Sequence, residues 1–320
     1  GQKLSIRAQT SGRYYQGYNF SFTEPWLGGK KPNSLSFWLN HTAQGNGYLR
    51  SNEKYAGLSI TGIGLGFGRR KKWPDDWFQA YYEVSYQYYD VVDDSRFGIF
   101  TNGYANDIAF KYVLQRSSVS APIYPQGGSN LKFTAKATVP YSAFDGVDDY
   151  SSFTNQERYK YLEYYKVKLT GEWFFPLTPD KKLILMPRFG FGILGAYSKA
   201  KGVTPFERFT LGGSGLTGVN QIGGREVIAL RGYEDNSLNS SAGDAIIAKY
   251  TLELRYPISL NPSATFYGLI FAEAGNTYPT FEEFNPFNVK RSVGVGIRVF
   301  LPMFGMLGLD YGFGFDKLDY

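Results

Sequence analysis

The chain has 320 residues, among them 38 Gly, 27 Tyr and 26 Phe but no Cys, and a formal charge of +6. That much glycine argues against a helical protein, because glycine is costly inside helices, and the absence of Cys excludes disulfides and thiolate metal sites. The charge is dispersed: the one dense basic run, Arg69-Arg70-Lys71-Lys72, is followed at once by Trp73-Pro74-Asp75-Asp76. It reads as a solvated turn, and without a basic face around it no nucleic-acid partner is expected.

No run approaches eighteen consecutive apolar residues, so no transmembrane helix is expected. A membrane β-barrel escapes that test, since only alternate residues touch lipid. Tyr, Phe and Trp favour strands and collect at membrane–water interfaces. No signal peptide is visible. A barrel must be exported, so the chain reads as processed or truncated.

Read for alternation, the sequence yields one strand after another. Leu4, Ile6 and Ala8 alternate with polar neighbours, as do Leu35, Phe37 and Leu39, where Trp38 is the exception. Leu131, Phe133, Ala135, Ala137 and Val139 alternate with Lys132, Thr134, Lys136 and Thr138, and Val167 and Leu169 with Lys166, Lys168 and Thr170. Val293, Val295, Ile297, Val299 and Leu301 continue the pattern, and so do Leu307, Leu309, Tyr311, Phe313 and Phe315. Thirteen strands are predicted, at about 2–11, 15–25, 33–43, 54–67, 77–91, 104–117, 130–141, 160–175, 182–197, 244–257, 264–276, 289–301 and 306–315. Most have the roughly 9–11 residues that cross a bilayer at a tilt. Compact turns such as 25–32 and Pro176-Leu177-Thr178-Pro179-Asp180 alternate with longer polar loops at 44–53, 92–103 and 277–288. Short turns at one end and long loops at the other mark an outer-membrane barrel. The fold class is therefore all-β: one transmembrane antiparallel β-barrel domain over 1–320.

The pattern breaks once, at about 198–243. This glycine-loaded connection holds Phe209-Thr210-Leu211-Gly212-Gly213 and, further on, Leu230-Arg231-Gly232-Tyr233. Loops of this length inside a compact domain are usually functional or disordered, and this one is expected to fold back into the lumen. Arg231 would then need a carboxylate partner, because an unpaired buried charge is costly. Two inward-facing acids qualify. Glu253 shares its face with Thr251 and Arg255, while Leu252, Leu254 and Tyr256 face lipid; Glu273 lies in Phe271-Ala272-Glu273-Ala274-Gly275. Gly232 would let the backbone turn where a side chain would clash, and Tyr233 would pack against the wall.

These residues carry a resemblance. The chain resembles the C-terminal barrel of the BamA-type outer-membrane protein assembly factors, whose sixth extracellular loop bears a Val/Leu-Arg-Gly-Phe/Tyr motif preceded by an aromatic–Gly-Gly element. Leu309-Asp310-Tyr311-Gly312-Phe313 resembles the family's penultimate strand, with Leu309, Tyr311 and Phe313 near the seam. The Glu24-Pro25-Trp26-Leu27-Gly28-Gly29-Lys30-Lys31-Pro32 turn resembles the Bacteroidota branch. Laid on the sixteen-stranded family pattern, the predicted strands correspond to the third through fifteenth, so that the first two, the last and the periplasmic POTRA domains are expected to be missing.

The resemblance implies a non-enzymatic insertase of the Gram-negative outer membrane that folds client β-barrels through a lateral gate, using no nucleotide and no cofactor. It also implies that Glu253 and Glu273 pair with the loop arginine. Expected partners are client barrels, accessory lipoproteins of a BAM complex, the POTRA domains, lipids and lipopolysaccharide. A two-partner-type secretion pore of the same superfamily, or an ordinary porin or channel, are the alternatives. Other motifs are weak. Gly213-Ser214-Gly215-Leu216-Thr217-Gly218 fits G-x-G-x-x-G but opens no helix. His41, the only histidine, has no G-x-S-x-G beside it. Asp93-Asp94, Asp148-Asp149 and Glu282-Glu283 read as solvated loop charge, and no metal site is expected.

Overall fold

The computed structural model describes residues 1–29, 32–213 and 224–316. Alternating apolar and polar residues can bury one face only as a sheet, and thirteen strands do so in one antiparallel sheet. They run β1 (Lys3–Thr10), β2 (Tyr15–Glu24), β3 (Asn33–Gly45), β4 (Gly57–Arg70), β5 (Phe78–Val92), β6 (Gly103–Ser117), β7 (Gly128–Thr138), β8 (Tyr165–Pro176), β9 (Ile184–Gly195), then β12 (Ile246–Asn261), β13 (Ala264–Tyr278), β14 (Lys290–Leu301) and β15 (Gly305–Gly314). Each strand pairs with its neighbour in sequence except where β9 meets β12. The excursion between those two carries β10 (Arg208–Leu211) and β11 (Arg225–Ile228), which pair in parallel with each other. Among the described residues β1 pairs only with β2, and β15 only with β14.

The thirteen wall strands fall where alternation placed them, with ends moved by a few residues. The eighth differs most: β8 starts at Tyr165, since of the residues just before it Tyr161 makes only an isolated bridge to Asn106, and further back stands a short helix, α1 (Asn155–Arg158), opened by a capping box between Thr154 and Glu157. The β10–β11 pair was not legible in the glycine-rich loop. The G-x-G-x-x-G match beyond Gly213, Lys30 and Lys31 of the second turn, and the tail 317–320 lie outside the described residues.

The two faces of the wall divide as the pattern demands. On β12, Thr251, Glu253 and Arg255 are buried, while Tyr250, Leu252 and Tyr256 are exposed to the lipid side. Trp38 breaks the alternation of β3 because it turns into the lumen, where its Nε1 donates to Glu83 at 3.3 Å. It lies over Gly64, at which a Cβ would come within 2.3 Å of the indole. His41 is a wall residue, its Nδ1 2.8 Å from the Thr61 hydroxyl and its ring stacked on Tyr18.

Two cores fill the lumen. At the long-loop end, Phe206, Phe209, Leu211, Leu230 and Leu238 of the excursion pack with wall and loop residues including Leu58, Ile60, Tyr89, Phe97 and Tyr164. At the turn end, the connection 118–127 between β6 and β7 also bends inward. Tyr124 buries its ring with Phe174, Ile184, Met186, Leu269 and Phe271 and meets Tyr267 edge-on at 5.1 Å. Its hydroxyl donates to the carbonyls of Lys182 at 2.6 Å and Arg255 at 3.1 Å.

Candidate functional site

The inward loop carries its arginine to the wall. Leu230 is fully buried and anchors the approach. Gly212 and Gly213 let the chain turn back past residues 234–235: both have positive φ, and a Cβ on Gly213 would come within 1.5 Å of the Asp235 carboxylate. The Gly212 amide donates to Ile228 and that of Gly213 to Tyr233, both at 3.1 Å, which ties the two ends of the tip together.

Arg231 then sits among three acids. Its Nη2 donates to Glu253 Oε1 and Glu273 Oε1, each at 2.8 Å, and its own backbone amide donates to Glu273 Oε2 at 2.9 Å. Nη1 reaches Asp310 at 3.4 Å. The guanidinium lies flat on Phe271, 3.6 Å from the ring centre, a cation–π contact in a site already shielded from water. Each acid has a second cation: Arg255 holds Glu253 Oε2 at 2.6 Å, Lys249 holds Glu273 at 3.1 Å, and Arg298 holds Asp310 at 2.7 Å. Three carboxylates face four cations, so the charges are nearly balanced. The planar fork of arginine suits two carboxylates at once in a way that lysine does not.

Beyond the arginine, the tip lies backbone to backbone on β15. Gly232 has φ 93°, and a Cβ there would come within 2.9 Å of the Phe313 and Gly314 backbone. A Cβ on Gly312 would in turn meet the Gly232 amide at 2.8 Å, and one on Gly314 would meet the Tyr233 ring at 2.7 Å. Tyr233 donates from its hydroxyl to the Arg291 carbonyl at 2.7 Å and accepts from the Asp316 amide at 3.2 Å. The side chains of Leu309, Tyr311 and Phe313 are exposed on the lipid side, away from the loop. The residues between them, Asp310, Gly312 and Gly314, make the contact.

A second anchor lies near the base of the loop, and sequence reasoning missed it. Lys136 of β7 and Lys166 of β8 bond Glu207 at 3.0 and 3.1 Å; Lys166 and Lys168 bond Glu226 at 3.0 and 2.8 Å; Lys136 also bonds Asp107 at 3.0 Å. The available signal was the run of inward lysines on β7 and β8, which needs acids opposite it. Burial by itself would raise the Glu207 carboxyl, but the Lys136 and Lys166 ammoniums outweigh it and hold that group, which lies in the loop outside the wall strands, well below the usual carboxylate range. A carboxyl depressed in this way contributes stability that is fully present above its unfolded value of about 4.3 and is lost as pH falls through the lower folded value. Glu207→Gln should therefore cost about 3 kcal/mol, the low end for removing one member of a buried pair, since Lys136 keeps Asp107 and Lys166 keeps Glu226. Urea unfolding followed by heat-modifiable gel mobility should show the same gap between variant and parent at pH 8 and pH 5, closing only in stronger acid.

The paired loop acids are used locally. Asp94 is bonded by Arg96, Asp149 accepts from Ser151, and Glu283 accepts from Thr280 at 3.3 Å.

Comparison with known proteins places this architecture. A family model described as the Omp85 superfamily domain matches residues 1–320. Among solved structures, BamA from Haemophilus ducreyi lacking POTRA domains 1–3 superimposes with a TM-score of 0.71 at 15% identity, covering 99% of this chain and 62% of that one. CdiB from Escherichia coli matches with a TM-score of 0.55 at 10% identity, covering 94% of this chain and 49% of that one. The chain thus spans under two thirds of the length of either.

Proposed function

The chain belongs to the Omp85 superfamily of outer-membrane barrels, and from that premise we propose that it is the barrel of an insertase that folds client β-barrel proteins into the outer membrane. The observation that carries this reading is the grip of the loop tip on the wall: Arg231 joins β12, β13 and β15 through Glu253, Glu273 and Asp310. A barrel wall held from inside the lumen at β12, β13 and β15, rather than only by strand pairing, would keep its shape while pairing elsewhere in the wall is exchanged. Clients would supply their own driving force, since each buried strand pairing satisfies backbone groups that lipid cannot. Accessory lipoproteins and POTRA domains would deliver the clients; Arg231, Glu253 and Glu273 would hold the tip and leave the client chemically untouched.

A secretion pore of the two-partner type, built on the same superfamily barrel, is the second reading. The filled lumen weighs against it, because the excursion between β9 and β12 and Tyr124 would both have to leave before a chain could pass. The test is to place the full-length parent protein in liposomes and follow folding of a urea-denatured outer-membrane protein without nucleotide. Folding faster than in empty liposomes is expected. No acceleration, with steady ion conductance instead, would point to the pore.

A further inference from the structure

Directly behind the Arg231 site the outer face of the wall is hollow. Ala272 and Ala274 flank Glu273 on β13 and turn to the lipid side. Larger neighbours stand over them in two rows: Leu252, Ala272 and Val293 pair across β12, β13 and β14, and so do Tyr250, Ala274 and Arg291. With Phe315 beyond them, these side chains bound a groove of about 880 Å³ floored by the two alanines. Its loop-side end is roofed. Asn276, the next outward residue of β13, donates from Nδ2 to the Asn288 carbonyl at 2.9 Å. Tyr278, the one after, donates from its hydroxyl to the carbonyls of Asn285 at 2.6 Å and Asn288 at 2.9 Å. Phe284 meets the Tyr278 ring edge-on at 5.2 Å and lies 5.6 Å from that of Phe191, which faces outward on β9. The connection 279–289 therefore leans over the outside of the wall, and it leaves Phe287 89% exposed there.

We propose that this groove holds one acyl chain of a lipid from the loop-side leaflet. The rim cation is already matched, since Arg291 holds Asp316 at 2.9 Å, so the occupant is recognised by apolar contact and not by the charge of a headgroup. Its width suits a single hydrocarbon chain. β12 and β14 lie about 10 Å apart across β13, twice the strand spacing, and their side chains narrow that gap further. A helix, about 10 Å across with its side chains, would not enter. The assignment depends on the barrel lying in a membrane and is independent of whether it inserts clients.

Phosphatidylethanolamine with a diazirine in one acyl chain, reconstituted with the full-length parent protein in vesicles, tests it. The vesicles are dissolved in detergent to strip loosely held lipid, the sample is irradiated, and labelled residues are mapped by peptide mass spectrometry. Label is expected at 250–252, 272–274 and 293, well above that at Val84 and Ile108, which face lipid elsewhere on the wall. A272L/A274L fills the floor and should carry about tenfold less label, the effect of withdrawing one or two methylenes from apolar contact. Ile270→Val, one outward position nearer the turn end, should label like the parent. Heat-modifiable mobility shows that the variants are folded, and the map of the parent does not depend on them. Equal labelling of the groove and of Val84 and Ile108, or parental labelling of A272L/A274L, overturns the proposal. Ala274→Cys supplies the only thiol of this chain. A disulfide-linked dimer of that variant in membranes would put a second copy in the groove and overturns it too.

Discussion

Arg231→Ala should lower barrel stability by about 3–5 kcal/mol, the range for breaking a buried pair by removing one partner. Glu253 and Glu273 are both almost fully buried, so neither can turn to water for what it loses. Arg255 and Lys249 remain beside them, which places the expected value toward the lower end. Arg231→Lys should recover only part: one ammonium cannot reproduce the fork between the two acids or the flat contact with Phe271. Urea midpoints read by gel mobility give the stability, and client folding in liposomes gives the activity. A variant with parental midpoint and parental activity would rule out the anchor.

Gly312→Val should do nearly as much damage while leaving every charge in place. The added Cβ would stand 2.8 Å from the Gly232 amide and 3.0 Å from the Arg231 carbonyl carbon, and both are backbone atoms that cannot swing aside. Either the tip lifts and draws the guanidinium away from its acids, or β15 bows outward. Overpacking of this kind costs about 1–3 kcal/mol before any lost ion pair is added. Because both substitutions break one contact, Arg231→Ala with Gly312→Val should fall well short of the sum of the single effects. Leu309→Val, three residues earlier on the same strand and on the lipid side, should change little. If Gly312→Val matches the parent and Leu309→Val does not, the loop-tip contact with β15 is wrongly assigned.

The wall was legible because alternation is local: each strand announces its own two faces without reference to its partner. Glu253 and Glu273 were legible for the same reason, since a carboxylate on the inward face of an otherwise apolar strand asks for a cation. What a strand cannot announce is which distant segment will lie on it. Asp310 is not legible, because the alternation of its strand marks Leu309, Tyr311 and Phe313, whose bulk faces lipid. Glu207 and Glu226 looked like ordinary loop acids until the fold brought Lys136, Lys166 and Lys168 to them. The four-residue strands β10 and β11 are too short to show a period, and they are joined by parallel pairing that no hairpin signal marks. Tyr124 sat in what read as a plain connection, yet its ring is among the buried members of the turn-end core.

Tyr124 has a consequence for leakage. A barrel stopped at one mouth only is as tight as that stopper, and displacing the loop would open the lumen. Here two stoppers stand in series, the excursion between β9 and β12 from one side and Tyr124 from the other, and they meet at neighbouring residues of one strand. Tyr124 donates to the Arg255 carbonyl, the Arg255 side chain bonds Glu253, and Glu253 bonds Arg231. Linked in this way the two do not move independently: releasing Arg231 from Glu253 would also loosen the Arg255 side chain beside the carbonyl that Tyr124 holds.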